Sequence, residues 1–340
     1  MRQNCLPFPK KSLFTLSAFL LVFSTPWSAK AIDKVVYGSD NRVDVQDSPN
    51  PSYREWARST AAMIENERLV PTSDGLMTQI KAEINPMRIC SDGPFSQQYM
   101  VANCTGFLLG PDILVTAGHC IQGESSCADY KWVFDFKQGG LGHGEYPQVS
   151  TQNVYSCKEI IGRALDQDTK MDYAVIRLNR EVKDRNYLTY RHTGKPALGD
   201  EMVVIGHPSG LPSKIADGAK VRDNGEESFF VVNADTFQGN SGSPVINSTT
   251  GNVEGILVRG DSDYVYDNDR RCMAVHHCAE DSCRGEDVTR IDKIPELLSP
   301  IKPEEVPTPS DDNSGDEELA ANSTHHHRHS FLRAIGIRRH

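Results

Sequence analysis

Three short stretches of this 340-residue chain carry side chains able to perform acyl transfer, in the order His, Asp, Ser. Leu114-Val115-Thr116-Ala117-Gly118-His119-Cys120 delivers a histidine from the end of an apolar strand, and Met171-Asp172-Tyr173-Ala174-Val175-Ile176 sets an aspartate just ahead of another. Asp235-Thr236-Phe237-Gln238-Gly239-Asn240-Ser241-Gly242-Ser243-Pro244 holds a serine in a tight, glycine-rich loop that leads into Val245 and Ile246. A serine hydroxyl is a poor nucleophile at neutral pH. It needs an imidazole to accept its proton and a carboxylate to fix the imidazole tautomer and stabilise its cation. Ser241, His119 and Asp172 fit those catalytic roles. Gly239 and Gly242 let the loop bend sharply, so the backbone N–H groups of Gly239 and Ser241 become the oxyanion donors, each worth about 3 kcal/mol. Asp166 and Asp168 are poorer candidates because no strand follows them directly, and His207, in Gly206-His207-Pro208, has no partner pattern and reads as a loop residue.

These residues need a rigid frame, and the chain supplies β-rich runs to build one. Residues 106–109, 113–116, 173–178, 202–205, 229–232 and 253–258 are short apolar runs broken by Gly, Pro, Asn and Asp, the pattern of an all-β barrel or sandwich. Helical periodicity is scarce until residues 288–298, where Ile291, Ile294, Leu297 and Leu298 predict a short closing helix. Residues 32–77 form a polar N-terminal arm or propeptide, with a short helix or strand over residues 61–69, and residues 78–299 form the main domain. The acidic, proline-containing stretch that begins residues 300–340 cannot offset the entropy of ordering and is expected to be a disordered linker, followed by a His/Arg-rich tail.

Composition narrows the function classes. Hydrophobic residues at 38% suffice for a core, and 36 basic against 46 acidic residues give a net charge of −10, which argues against nucleic-acid or anionic-membrane partners. Arg2, Lys10 and Lys11 precede an apolar stretch over residues 12–27, and Ala29-Lys30-Ala31 places small residues at the cleavage positions. Residues 1–31 therefore read as a signal peptide, and the protein as secreted or periplasmic, without stable membrane association. Removing the leader also removes Cys5, leaving Cys90, Cys104, Cys120, Cys127, Cys157, Cys272, Cys278 and Cys283, an even set that favours disulfides in an exported chain. Cys272, Cys278 and Cys283, with His276 and His277 among them, lack a CxxC pair, so a disulfide-tied loop is preferred to zinc. No cofactor or metal is expected.

Thr116-Ala117-Gly118-His119-Cys120, Asp172-Tyr173-Ala174-Val175-Ile176 and Gly239-Asn240-Ser241-Gly242-Ser243-Pro244 together resemble the chymotrypsin/trypsin-like serine protease family, in the bacterial branch that includes the glutamyl endopeptidases. The resemblance covers residues 35–299. It implies two packed six-stranded antiparallel β-barrels with the site between them, His119 and Asp172 on the first and Ser241 on the second. It also implies a disulfide between Cys104 and Cys120 bracing the histidine loop.

The same resemblance places a specificity pocket at Asp235, Thr236, Val258, Arg259 and Gly260, with Asp235 at its floor and Gly260 leaving a wall open. That predicts a preference for Lys or Arg at the cleavage position, with glutamate as the alternative. Leu257 stands where glutamyl-specific members hold a histidine, and Arg259 stands where an aromatic residue is usual. Asn240 replaces the aspartate that in many animal members pairs with a new N-terminus, so activity is not expected to depend on such an ion pair. Residues 35–42 resemble the start of mature glutamyl endopeptidases, which suggests a trim after Lys34. The expected protein is thus a monomeric, metal-independent serine endopeptidase whose partners are protein or peptide substrates. Two alternatives from other classes are a catalytically silent protease-like binding protein, disfavoured by the complete triad, and a metal scavenger using the 272–283 loop and the histidine-rich tail.

Overall fold

The computed structural model describes residues 35–139 and 146–298. The leader, the Lys34 trim site, the acidic linker and the His/Arg tail lie outside these residues. Two closed antiparallel barrels dominate. The first joins Thr60–Glu65, Cys104–Leu108, Ile113–Thr116, Asp172–Leu178, Val154–Leu165 and Tyr130–Phe134, and closes by pairing Tyr130–Phe134 with Thr60–Glu65. The second joins Glu201–Gly206, Pro244–Asn247, Val253–Arg259, Glu286–Arg290, Phe229–Val232 and Lys214–Asp223, and closes by pairing Glu201–Gly206 with Lys214–Asp223. Phe107, Leu114, Trp132, Phe134 and Ile176 fill the first core, and Met202, Phe230, Leu257 and Val288 fill the second. Asp172–Leu178 is buried along its whole length, which is why its sequence reads as a nearly unbroken apolar run.

Three boundaries differ from the sequence expectation. Thr60–Glu65, assigned to the arm, is a barrel strand, so the barrel begins before residue 78. Asn66–Arg68 then makes one 3-10 turn before the strand Leu69–Pro71. The closing helix over residues 288–298 is replaced by a strand, Glu286–Arg290, and two 3-10 turns, Ile291–Lys293 and Pro295–Leu297. Val288 and Thr289 gain ladder partners in Phe230 and Phe229, and Pro295 has no N–H to continue a helix. The spacing of Ile291, Ile294 and Leu297 still buries all three, because a 3-10 turn repeats every three residues.

The segment from residue 35 to 44 is built into the second barrel. Arg42–Asp44 extends the sheet beside Lys214–Asp223, and Val36–Tyr37 pairs in parallel with His277–Cys278. Val35 and Val36 are fully buried. Lys214, itself buried, donates to Asp44 at 2.7 Å, to Gln98 and to the Pro212 carbonyl, which satisfies its charge within the protein. Among the described residues, four disulfides join Cys90 to Cys272, Cys104 to Cys120, Cys127 to Cys157 and Cys278 to Cys283. The sulfurs beside His276 and His119 therefore belong to disulfides and cannot act as thiolate ligands.

Candidate active site

His119 leaves the strand Ile113–Thr116 on a tight turn closed by the Cys120 N–H donating to the Ala117 carbonyl. Asp172 opens the neighbouring strand, and the Ala174–Thr116 register brings the two residues together. Both carboxylate oxygens of Asp172 engage His119. The backbone N–H donates to Oδ1 at 3.0 Å, and Nδ1 lies 2.9 Å from Oδ2. Asp172 is buried while the His119 side chain is 18% exposed, so one edge of the imidazole is fixed inside and the ring still reaches the surface. A carboxylate on Nδ1 assigns the proton to that nitrogen and leaves Nε2 as a base.

The serine loop arrives from the second barrel. The Asn240 N–H donates to the Phe237 carbonyl and the Ser243 N–H to the Asn240 carbonyl, two successive turns that carry Ser241 between them. Gly239 and Gly242 have φ of +93° and +88°, a region that favours glycine. At Gly242 space is also closed, since a Cβ would lie 2.0 Å from the Thr105 carbonyl oxygen. The Gly242 N–H donates to the Leu257 carbonyl, tying this loop to the strand Val253–Arg259.

Thr105 joins the two halves, and nothing in its local sequence marks it. Its N–H donates to the Ser241 carbonyl at 2.8 Å and its Oγ1 donates to the Gly239 carbonyl at 2.8 Å. The same Oγ1 accepts from the His207 N–H, and its carbonyl accepts from Thr116 Oγ1 at 2.7 Å. Cys104, its neighbour, is bonded to Cys120 beside His119, and the Cys120 sulfur lies 3.7 Å from the Ser241 carbonyl oxygen. Thr105→Val keeps the shape but leaves the Gly239 carbonyl and the His207 N–H without this partner. It should cost about 1–3 kcal/mol for each orphaned group. Urea unfolding that matches wild type would show that this joint contributes nothing.

The residues assigned to the specificity pocket separate into different tasks. Asp235 is turned toward the N-terminal segment, its carboxylate accepting from the Tyr37 N–H at 2.7 Å and the Asn41 N–H at 3.0 Å. Burial pushes its carboxyl up to about 6, against the pull of those two amides. Arg259 is held by groups outside the assigned set. Its Nε binds Asp287 at 2.7 Å, its Nη2 donates to the Lys170 carbonyl, and its Nη1 stands 4.0 Å from Asp172. Val258 is buried in the strand. Thr236 and Gly260 instead meet at Glu286, a residue the sequence reading missed. Asn240 directs its side chain inward, accepting from Ser243 Oγ at 3.3 Å. His207 is a loop residue as expected, and it is buried: its Nδ1 lies 3.0 Å from the Leu211 carbonyl and its ring stacks on Phe136.

Residues 104–256 match the family model described as trypsin-like peptidase domain. A glutamyl endopeptidase of Bacillus licheniformis is 29% identical over 157 residues, 44% of this chain and 47% of that one. An extracellular metalloprotease of Bacillus subtilis is 31% identical over 171 residues, 47% of this chain and 52% of that one. The chain thus spans about half the length of these curated relatives. A solved structure of a Glu endopeptidase in complex with MPD aligns with a TM-score of 0.44 and 15% identity, over 76% of this chain and 94% of that one.

Proposed function

We propose, from the premise that this chain carries the trypsin-like peptidase domain of the chymotrypsin/trypsin-like serine proteases, that it is a serine endopeptidase working through an acyl-enzyme. Ser241 Oγ adds to the peptide carbonyl carbon as its proton passes to His119 Nε2, and Asp172 stabilises the imidazolium. The N–H groups of Gly239 and Ser241 hold the oxyanion. Collapse of the adduct expels the amine, which takes the proton from His119, and a water deprotonated by the same imidazole then hydrolyses the ester. The observation that carries this reading is the double engagement of His119 by Asp172 beside a serine loop pinned to the same barrel through Thr105.

A cavity of about 320 Å³ runs along Met87, Met100, Ala102, Gly210 and Gln238 up to that loop, and would take the peptide chain beyond the scissile bond. Lys or Arg is the favoured side chain at the cleavage position. The name of the Bacillus licheniformis relative supports glutamate as the second reading. Four disulfides suit an oxidising compartment, and no helix among the described residues is long and apolar enough to cross a membrane, so export as a secreted or periplasmic enzyme remains our reading.

A fluorophosphonate probe tests the reading whatever the substrate. The mature chain should be labelled and Ser241→Ala should not. No labelling of the wild-type chain, before or after limited proteolysis, would leave a protease-like binding protein in its place.

A further inference from the structure

We propose that Arg259 is a positioning residue for the triad: from the second barrel it holds both the carboxylate of Asp172 and the turn that presents it. The inference rests on the serine-endopeptidase reading and adds to it the group that keeps the acid in place.

Asp172 opens its strand, so its position depends on the turn before it. That turn is closed by the Asp166 N–H donating to the Met171 carbonyl, while Asp166 Oδ1 accepts from the N–H and the hydroxyl of Thr169. Lys170 has a φ of +63°, a conformation that residues with a Cβ hold only when their surroundings impose it. Two side chains of the second barrel reach this turn. Ser228 Oγ donates to the Thr169 carbonyl, and Arg259 Nη2 donates to the Lys170 carbonyl at 3.2 Å.

Arg259 is itself anchored. Strand pairing sets it opposite Asp287, whose Oδ2 accepts from its Nε at 2.7 Å, and its guanidinium carbon lies 5.5 Å from the centre of the Phe229 ring. With Nε and Nη2 engaged, the planar guanidinium has its third nitrogen placed as well, and Nη1 stands 4.0 Å from Asp172 Oδ2. The same oxygen is 2.9 Å from His119 Nδ1, so it faces both the imidazole and a permanent cation. Until His119 takes the serine proton, its ring carries no charge to balance the buried carboxylate, and Arg259 supplies that balance. At 4.0 Å it does so without a hydrogen bond that would compete with Nδ1. Arg284 pairs with the same Asp287, so two cations share one acid and Asp287 does not neutralise Arg259 alone. The strand Val253–Arg259 also accepts the Gly242 N–H at the Leu257 carbonyl. Two residues apart, one strand therefore touches the serine loop and the acid of the triad.

The test compares variants of the full mature chain, with active sites counted by the fluorophosphonate probe. Arg259→Met keeps a long stem and removes the donors and the charge. It should lower kcat by about 10- to 100-fold and leave KM and the cleavage profile unchanged, because the acid is misplaced while the substrate's contacts are not. Arg259→Lys restores a cation and should recover most of that loss. The low-field proton resonance of the His119 Nδ1–H, which reports its bond to Asp172, should shift in Arg259→Met and return toward its wild-type position in Arg259→Lys. If Arg259→Met does not fold, Arg259→Met/Asp287→Asn removes the acid left behind, and should fold and show the same loss in kcat. A kcat in the folded variant that matches wild type overturns the inference, as does an Arg259→Lys as slow as Arg259→Met. A changed cleavage profile at unaltered kcat also overturns it and makes Arg259 a specificity residue. Failure of wild type to label overturns the endopeptidase reading, and this inference with it.

Discussion

Asp172→Asn is expected to lower kcat by about 10⁴-fold while the chain stays folded. Asp172 accepts from both the backbone N–H and Nδ1 of His119, so its two oxygens are used on one residue. An asparagine offers one oxygen and one NH₂ group. If the oxygen stays with the backbone N–H, the NH₂ faces Nδ1, which must then be unprotonated to accept from it. The ring proton moves to Nε2, and the base that Ser241 needs becomes a donor. The loss should therefore fall on kcat, with KM for the same peptide little changed, because the pocket and the oxyanion donors are untouched. Pre-steady-state acylation of wild type and variant measures it. A variant within tenfold of wild type would mean that Asp172 does not control the tautomer.

The second large effect concerns stability and comes from His207. Burial is the main cause that holds its imidazole neutral, with the Lys214 charge adding to it and the bond to the Leu211 carbonyl opposing it, and the result is a value of about 4 against an ordinary 6.5. A depressed value on a base means that the unfolded chain binds the proton first. The contribution of His207 is fully present above pH 6.5 and is lost as the pH falls toward 4, by about 3 kcal/mol in all. Asp235 has the opposite sign. Its raised value of about 6 gives a contribution fully present below the ordinary carboxyl range and lost as the pH rises through 6. The two slopes offset each other between pH 4 and 6, so the wild-type curve alone would hide both. Urea unfolding of His207→Phe and wild type at pH 7 and pH 4 separates them: the stability difference between the two proteins should shrink by about 3 kcal/mol at the lower pH. An unchanged difference would show that the imidazole titrates normally in the folded protein. The consequence reaches the site, since the His207 N–H is held by Thr105 and a Cβ on Gly239 would lie 2.4 Å from the His207 carbonyl oxygen.

Much of this protein is written locally. Runs of β-branched residues made the strands Ile113–Thr116, Asp172–Leu178 and Val253–Arg259 legible, because a buried strand must be apolar along its length. The motifs around His119, Asp172 and Ser241 were legible for a related reason: each sits at a strand end or turn whose residues are dictated within a few positions. The even set of cysteines carried the expectation of disulfides, since the sulfurs have one common fate in an oxidising compartment.

Tertiary structure decided what depends on register and distance along the chain. Local periodicity over residues 288–298 suits either a 3-10 turn or an α-helix, and the ladders to Phe229–Val232 and Val253–Arg259 turned its start into a strand. The partner of Asp235 lies 198 residues away at Tyr37, so no spacing near the serine could reveal that this acid anchors the N-terminal segment. Thr105 and Glu286 were invisible for the same cause, one joining two barrels and the other crossing from a strand 50 residues beyond Thr236. The sequence by itself marked out the proposed triad, because the serine, the histidine and the aspartate each stand in their own short motif. Which acid meets Thr236 and Gly260 was decided by strand pairing, because residues far apart along the chain come together only when the barrel closes.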